Sequence, residues 1–259
     1  MNLFKEVIQN FNLILILGKN DFKNKYLGSG LGSIWGFLNP LVQLITYTFV
    51  YQVIFPSNSD IPFIVGFFPV LIAWMFISET MISTSSSIRN YSYLVKKIKF
   101  PIDIIPLIPL VSAYIVFVTL NLFVIIINIW NGYVPNIFIL IYMHICLLSF
   151  IIAFGRLFSA LNSIIPDVSH FISSSMQVLF WLSPIIWNFD TISSQYANYL
   201  KLNPLAYILD GFRAVYIPGH GWHNDLAKYT ILFWLITIVL FVYGNYIFNK
   251  CKKDFADTL

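Results

Sequence analysis

Long, uninterrupted apolar runs constrain this chain more than any other feature. Candidate membrane-crossing runs are Ile34–Phe55, Pro62–Ser83, Ile104–Trp130, Asn136–Ile164, Val168–Trp187 and Leu226–Phe248. Each approaches the roughly 20 residues that a helix needs to cross a bilayer. Charge is too scarce to wrap such runs in a water-facing shell: only 10% of the 259 residues are Asp, Glu, Lys or Arg, against about 25% in soluble domains. Lipid offers no partners to exposed backbone groups, so the runs must satisfy their own amides as helices. A closed barrel would need short segments alternating apolar and polar residues, and these runs do not alternate.

The basic residues then orient the chain. Lys5, Lys19, Lys23 and Lys25 precede the first run; Arg89, Lys96, Lys97 and Lys99 follow the second; Lys250, Lys252 and Lys253 follow the last. The loops 56–61 and 131–135 contain no Lys or Arg. Because short cytoplasmic loops are enriched in Lys and Arg, both termini and the segment after the second span are expected in the cytoplasm. Leu3, Phe4, Val7, Ile8, Phe11, Ile14 and Leu15 recur at helical spacing, opposite Lys5, Glu6, Gln9, Asn10 and Asn12. That pattern predicts an amphipathic helix lying along the inner membrane surface. Between residues 188 and 225, apolar pieces too short to cross are broken by Asn203-Pro204 and Pro218-Gly219, as in helices that dip into a membrane and return. The expected fold is therefore an all-α integral membrane domain, 1–259. It divides into a cytoplasmic interfacial segment (1–30), five spans (34–187), an outer loop with re-entrant helices (188–225), a sixth span (226–248) and a cytoplasmic tail (249–259).

Signals of catalysis are sparse. Gly28-Ser-Gly-Leu-Gly32 lacks the lysine of a phosphate-binding loop and follows no strand, so it reads as a turn. His220 and His223 stand beside Trp222, but two ligands do not make a zinc site, which takes three or four. No metal, cofactor or nucleic acid is expected on this chain, and no catalytic residues. Ionisable groups inside spans are functional candidates. Glu79 and Arg156 lie at similar depth near the inner ends of the second and fourth spans, and are expected either to pair or to reach separately for headgroups. Tyr47, Tyr51, Phe180 and Trp181 are candidates for lining a path, because an aromatic face packs against the apolar face of a sugar ring. In Ser86–Pro101, Ile88, Tyr91, Leu94, Val95 and Ile98 share one helical face. Arg89, Lys96, Lys97 and Lys99 supply charge, and Pro101 stops the helix. A basic amphipathic helix on the inner side suits docking to a cytosolic partner; a plain topology-setting loop is the alternative.

With these features assigned, further stretches carry a resemblance. LGSGLGSIWGFLNP at 27–40 resembles the opening of the first span in ABC-2 type permeases of polysaccharide exporters. It is followed in order by PFIVGFFPVLIAWMFIS at 62–78, VKKIKFPIDIIP at 95–106, WLSPIIW at 181–187 and KLNPLAYILDGFRAVYIPG at 201–219, and by DFADTL at 254–259. The chain is most similar to the teichoic acid branch of that family, with O-antigen and capsule permeases as relatives. The family's Arg-Asp pair after the fourth span is replaced by Pro166-Asp167, and Arg156 is foreign to the pattern. The resemblance implies a non-enzymatic homodimer in the bacterial cytoplasmic membrane, exporting a lipid-linked polysaccharide. Two copies of a separate ATPase, using ATP and Mg, would dock beneath it onto Ile88, Arg89, Tyr91, Leu94, Lys96, Lys97 and Lys99. Two other classes stay open: a membrane-embedded enzyme processing glycolipids, which would cluster Asp, Glu or His at one face, and a plain helical scaffold.

Overall fold

The computed structural model describes residues 3–55, 61–97, 100–217, 226–252 and 255. Among them every regular element is helical. Two helices open the chain, α1 (Leu3–Gln9) and α2 (Phe11–Asn24). A 3-10 turn at Gly32–Ile34 leads into α3 (Trp35–Phe49), which continues as a π-helical turn, Val50–Ile54. Then come α4 (Phe63–Ser85), the one-turn helices α5 (Ser87–Asn90) and α6 (Ser92–Val95), α7 (Leu107–Trp130) and α8 (Ile137–Ile164). The chain ends with α9 (Asp167–Leu182), α10 (Ser194–Leu200), α11 (Pro204–Ala214) and α12 (Leu226–Cys251).

Local chemistry sets several of these boundaries. The Asn136 side chain accepts hydrogen bonds from the Phe138 and Ile139 amides at 3.1 and 3.2 Å, satisfying two of the donors that a helix start leaves unpaired. Asn203 does the same for Leu205 at 3.0 Å, with Pro204 at the first helical position. Ser183 is extended (φ −103°, ψ 151°) because Pro184 follows it, and the residue before a proline avoids the helical region.

Five helical stretches are long and apolar enough to cross a membrane: Gly32–Ile54, Phe63–Ser85, Ile102–Trp130, Ile137–Ile164 and Ala227–Cys251. The fifth expected crossing differs. The α9 helix has 16 residues, or about 24 Å at 1.5 Å per residue, short of the roughly 30 Å hydrocarbon layer. The Ser183-Pro184 break is the reason.

The α4 helix is the centre of the bundle, with 67% of its spanning window buried. It packs against α7, α8, α9 and α11, while α12 lies along α8. The α3 span sits at the edge, only 6% buried. The α11 helix is buried along its whole length from Leu205 to Ala214 and wedges between α4, α8 and α12. The stripe expected on α1 and α2 is divided by the break at Asn10. Leu3 and Ile14 are buried, whereas Phe4, Ile8 and Phe11 are exposed.

Close approach of α2 to α7 depends on Gly18. A Cβ at that position would stand 2.5 Å from Val111 Cγ1 and 3.3 Å from the Ile108 carbonyl oxygen. Gly18→Val should therefore separate the helices and cost about 1–3 kcal/mol, the usual range for overpacking. Thermal melting of the purified protein in detergent checks this, and an unchanged midpoint would contradict the seating of α2 on α7.

Candidate functional site

Between α3, α4 and α9 lies a cleft of about 720 Å³. Its lining separates into two chemistries. Asn39 and Gln43 on α3, Ser78 on α4, and Ser173 and Gln177 on α9 present amides and hydroxyls; Tyr47, Trp74, Phe180 and Trp181 present rings. The pairs Asn39/Gln43 and Ser173/Gln177 are each four residues apart, which puts each pair on one helix face. Asn39, Gln43 and Gln177 are exposed although they sit in membrane-length apolar surroundings. Lipid cannot satisfy such groups, so they belong beside water, protein or a polar ligand.

The rings form one connected group. Phe180 lies 6.2 Å from Tyr47, 5.8 Å from Trp74 and 5.3 Å from Trp181, between ring centroids. Tyr51 stacks on Tyr47 at 6.5 Å and on Phe63 at 5.4 Å. The structure thus gathers all four aromatic residues singled out in the sequence. Sequence reasoning missed Trp74 and the polar lining; amides and serines at four-residue spacing within apolar runs were the available signal.

Glu79 stands at one end of the cleft beside Tyr26. Its carboxylate takes a hydrogen bond from Lys25 Nζ at 2.9 Å. Burial, then the Glu79 charge, raise the Tyr26 hydroxyl above its ordinary range, with Lys25 pulling the other way. Tyr26 is therefore a neutral donor at any physiological pH.

The expected pairing of Glu79 with Arg156 is corrected, because each has another partner. Arg156, 2% exposed, donates to Asp103 Oδ1 at 2.6 Å and to Asn245 Oδ1 at 3.0 Å, and its guanidinium lies 3.8 Å from the Phe248 ring centroid. Asp103, 4% exposed, also binds Lys252 through its other oxygen. Depth along a span was right to compare, but depth does not say which way round a helix a side chain points. Glu79 faces α2 and the cleft; Arg156 faces α12 and the turn before α7. A second buried charge, Arg213, had no part in the sequence reading. It donates to Asp210 at 3.0 Å, to the carbonyls of Pro184 and Ile185 at 2.6 and 3.1 Å, and to that of Gly66 at 3.4 Å. It thereby ties α11 to the start of α4 and to the segment that follows α9.

The segment expected to dock a partner needs a further correction. It is two turns rather than one helix, broken at Tyr91 (φ −105°, ψ 28°). Its apolar face is turned inward. Ile88, Leu94 and Val95 are buried against Ile105, Ile108, Ala160 and Phe248, so Ile88 and Leu94 present no surface to another chain. Tyr91 donates to Asp21. Arg89, Lys96 and Lys97 remain exposed, together with Tyr93. Lys99, Ile98, His220 and His223 lie outside the described residues. No group of three His, Cys, Asp or Glu suited to a metal occurs among the described residues.

A bundle of membrane-length helices with a ring- and amide-lined cleft between three of them defines the class as a helical membrane protein. The chain belongs to the ABC-2 type transporter family, which it matches over residues 12–217. It is similar to the O-antigen export system permease protein RfbA of Myxococcus xanthus, with 24% identity over 100% of both chains. A protein of the same name from Klebsiella pneumoniae is 27% identical over 96% of this chain and 95% of its own length. The polysialic acid transport protein KpsM of Escherichia coli is 23% identical over 81% and 83% respectively.

Proposed function

We propose that this chain is the membrane subunit of an ABC exporter that carries a lipid-linked cell-envelope polysaccharide, with teichoic acid as the favoured cargo. The observation that carries the reading is the cleft. Amides, hydroxyls and ring faces are what a sugar or polyol chain needs for hydrogen bonding and stacking, and the one carboxylate in the lining, Glu79, is held by Lys25 at the end of the cleft. The O-antigen export named for RfbA and the polysialic acid transport named for KpsM support the polysaccharide class. The preference for teichoic acid over O-antigen or capsule rests on KLNPLAYILDGFRA and KKDFADTL at 201–214 and 252–259.

A second copy completes the path in this reading. The α3 span is barely buried within one chain, and its exposed Asn39 and Gln43 require a covering that lipid cannot give. The whole chain acts as one transmembrane unit in the bacterial cytoplasmic membrane, with both termini on the cytoplasmic side, as the Lys and Arg distribution requires. Termini on one side need an even number of crossings. Five long spans therefore call for a sixth, and α9 extended by residues 183–187 supplies it. The α10 and α11 helices then dip in from the outer face and return. Two copies of a separate ATPase, using ATP and Mg, drive the cycle by binding two arrangements of the dimer with different affinity.

Reconstitution with a polysaccharide-type ATPase and lipid-linked polymers tests this. Export should require both proteins and ATP, and should favour polyol-phosphate polymer over O-antigen or capsule chains. Transport by the purified chain alone, or chemical change of the polymer, would overturn it. Contact with the ATPase runs through the exposed cations rather than the apolar stripe. Lys96→Glu with Lys97→Glu should lower stimulated ATP hydrolysis about fivefold, as reversal of rim charges does, while leaving the melting temperature unchanged. Undiminished stimulation would remove both lysines from the contact.

A further inference from the structure

Lys25 stands between two carboxylates at the end of the cleft. Its Nζ is 2.9 Å from Glu79 Oε1 and 3.7 Å from Asp21 Oδ2. The second distance is too long for a hydrogen bond, and Asp21 Oδ2 is buried without any hydrogen-bond partner. Its other oxygen accepts from Tyr91, in the break between α5 and α6. Four residues thus make a continuous path, Tyr91–Asp21–Lys25–Glu79. It runs from the exposed basic turns, through α2, to a residue lining the cleft.

We propose that Lys25 is a positioning residue with two stations: on Glu79 it holds α2 against the end of the cleft, and on Asp21 it releases that end. Moving between the two is nearly balanced. The Lys25–Glu79 pair is partly exposed, at 28% and 46%, and such pairs contribute little, about 0–1 kcal/mol. The move supplies Asp21 Oδ2 with the bond it lacks, and a buried unpaired acceptor is costly. A small push at Tyr91 is therefore enough to change which station is occupied. The inference deepens the export reading by naming how the turns beneath the bundle act on the cleft, and that link alone rests on that reading.

The test uses the full chain in detergent, with Ser78→Cys in the cleft, the native cysteines removed as Cys146→Ala and Cys251→Ser, and a polar maleimide as probe. Lys25→Gln should raise the labelling rate about threefold, within what loss of an exposed ion pair can shift. Lys25→Arg should keep the starting rate, and Glu79→Gln, which removes the first station, should raise it as Lys25→Gln does. Asp21→Asn, which still accepts from Tyr91, should slow labelling, because Lys25 loses its second station. An unchanged rate in Lys25→Gln or in Glu79→Gln overturns the latch. A faster rate in Asp21→Asn overturns the second station. The same variants with the ATPase present separate the two ideas: labelling that shifts as expected while ATP never alters it leaves the latch standing and removes its link to export.

Discussion

Asp103→Leu is expected to destabilise this protein more than removal of either of its cationic partners. It would leave the guanidinium of Arg156, 2% exposed, without its carboxylate. Breaking a buried pair from one side costs about 3–5 kcal/mol, because the remaining charge stays desolvated. The order of effects follows from the geometry. Arg156→Met should cost less, since Asp103 keeps Lys252. Lys252→Met should cost least, since Lys252 is one-third exposed and the Arg156–Asp103 contact survives. The double change Asp103→Leu with Arg156→Met should recover most of the loss, as apolar replacements of buried pairs do. Thermal midpoints in detergent for the four variants check the ranking. Equal midpoints for Asp103→Leu and Lys252→Met would mean that Arg156 is not held by this carboxylate.

The cluster also explains how the exposed turns keep their place. Asp103 lies in the 3-10 turn before α7, and Phe248 contacts Arg156 and belongs to the same apolar cluster as Ile88. The turns are seated by their apolar residues on the ends of α7, α8 and α12, and the ionic cluster holds those ends together. Movement at the basic surface must therefore carry α8 and α12 with it, or tilt the turns toward α2 through Tyr91 and Asp21. The second route ends at Glu79, in the cleft lining.

Five membrane-length helices were legible in the sequence because lipid leaves the backbone almost no choice: length and hydropathy alone specify a helix. The shortness of α9 was visible in Ser183-Pro184, which an apolar count passes over. Rotation about each helix was not legible. Glu79 and Arg156 share a depth, yet point to different neighbours, and nothing local in either span distinguishes them. The stripe Ile88–Leu94–Val95 was read correctly as amphipathic and assigned to the wrong partner. A short apolar stripe on a surface turn must cover something, and here it covers its own chain. In the cleft, the rings stand out in the sequence as aromatic residues, whereas Asn39, Gln43, Ser173 and Gln177 belong to two separate helices and become one lining only where the fold brings their faces together.

If that cleft is the path of the polymer, obstructing it should stop export without unfolding the protein. Ser173 is half-buried on the α9 wall, where an indole would project among Trp74, Met176 and Phe180 into the space a sugar chain needs. Ser173→Trp should lower export at least about tenfold, since passage depends steeply on the width of a conduit. ATPase binding should persist, because the basic turns lie on other elements. Leu235→Trp on α12 is the matched control: Leu235 is 56% exposed and lies away from the cleft, so export there should stay within about twofold, as for a ring added to a lipid-facing surface. Polymer delivered per ATP hydrolysed, measured in proteoliposomes, separates a blocked path from a lost partner. A blocked path lowers delivery while ATP is still consumed; a lost partner lowers both together. Full delivery by Ser173→Trp would place the polymer elsewhere, and the polar faces of α3 and α9 would then need another occupant.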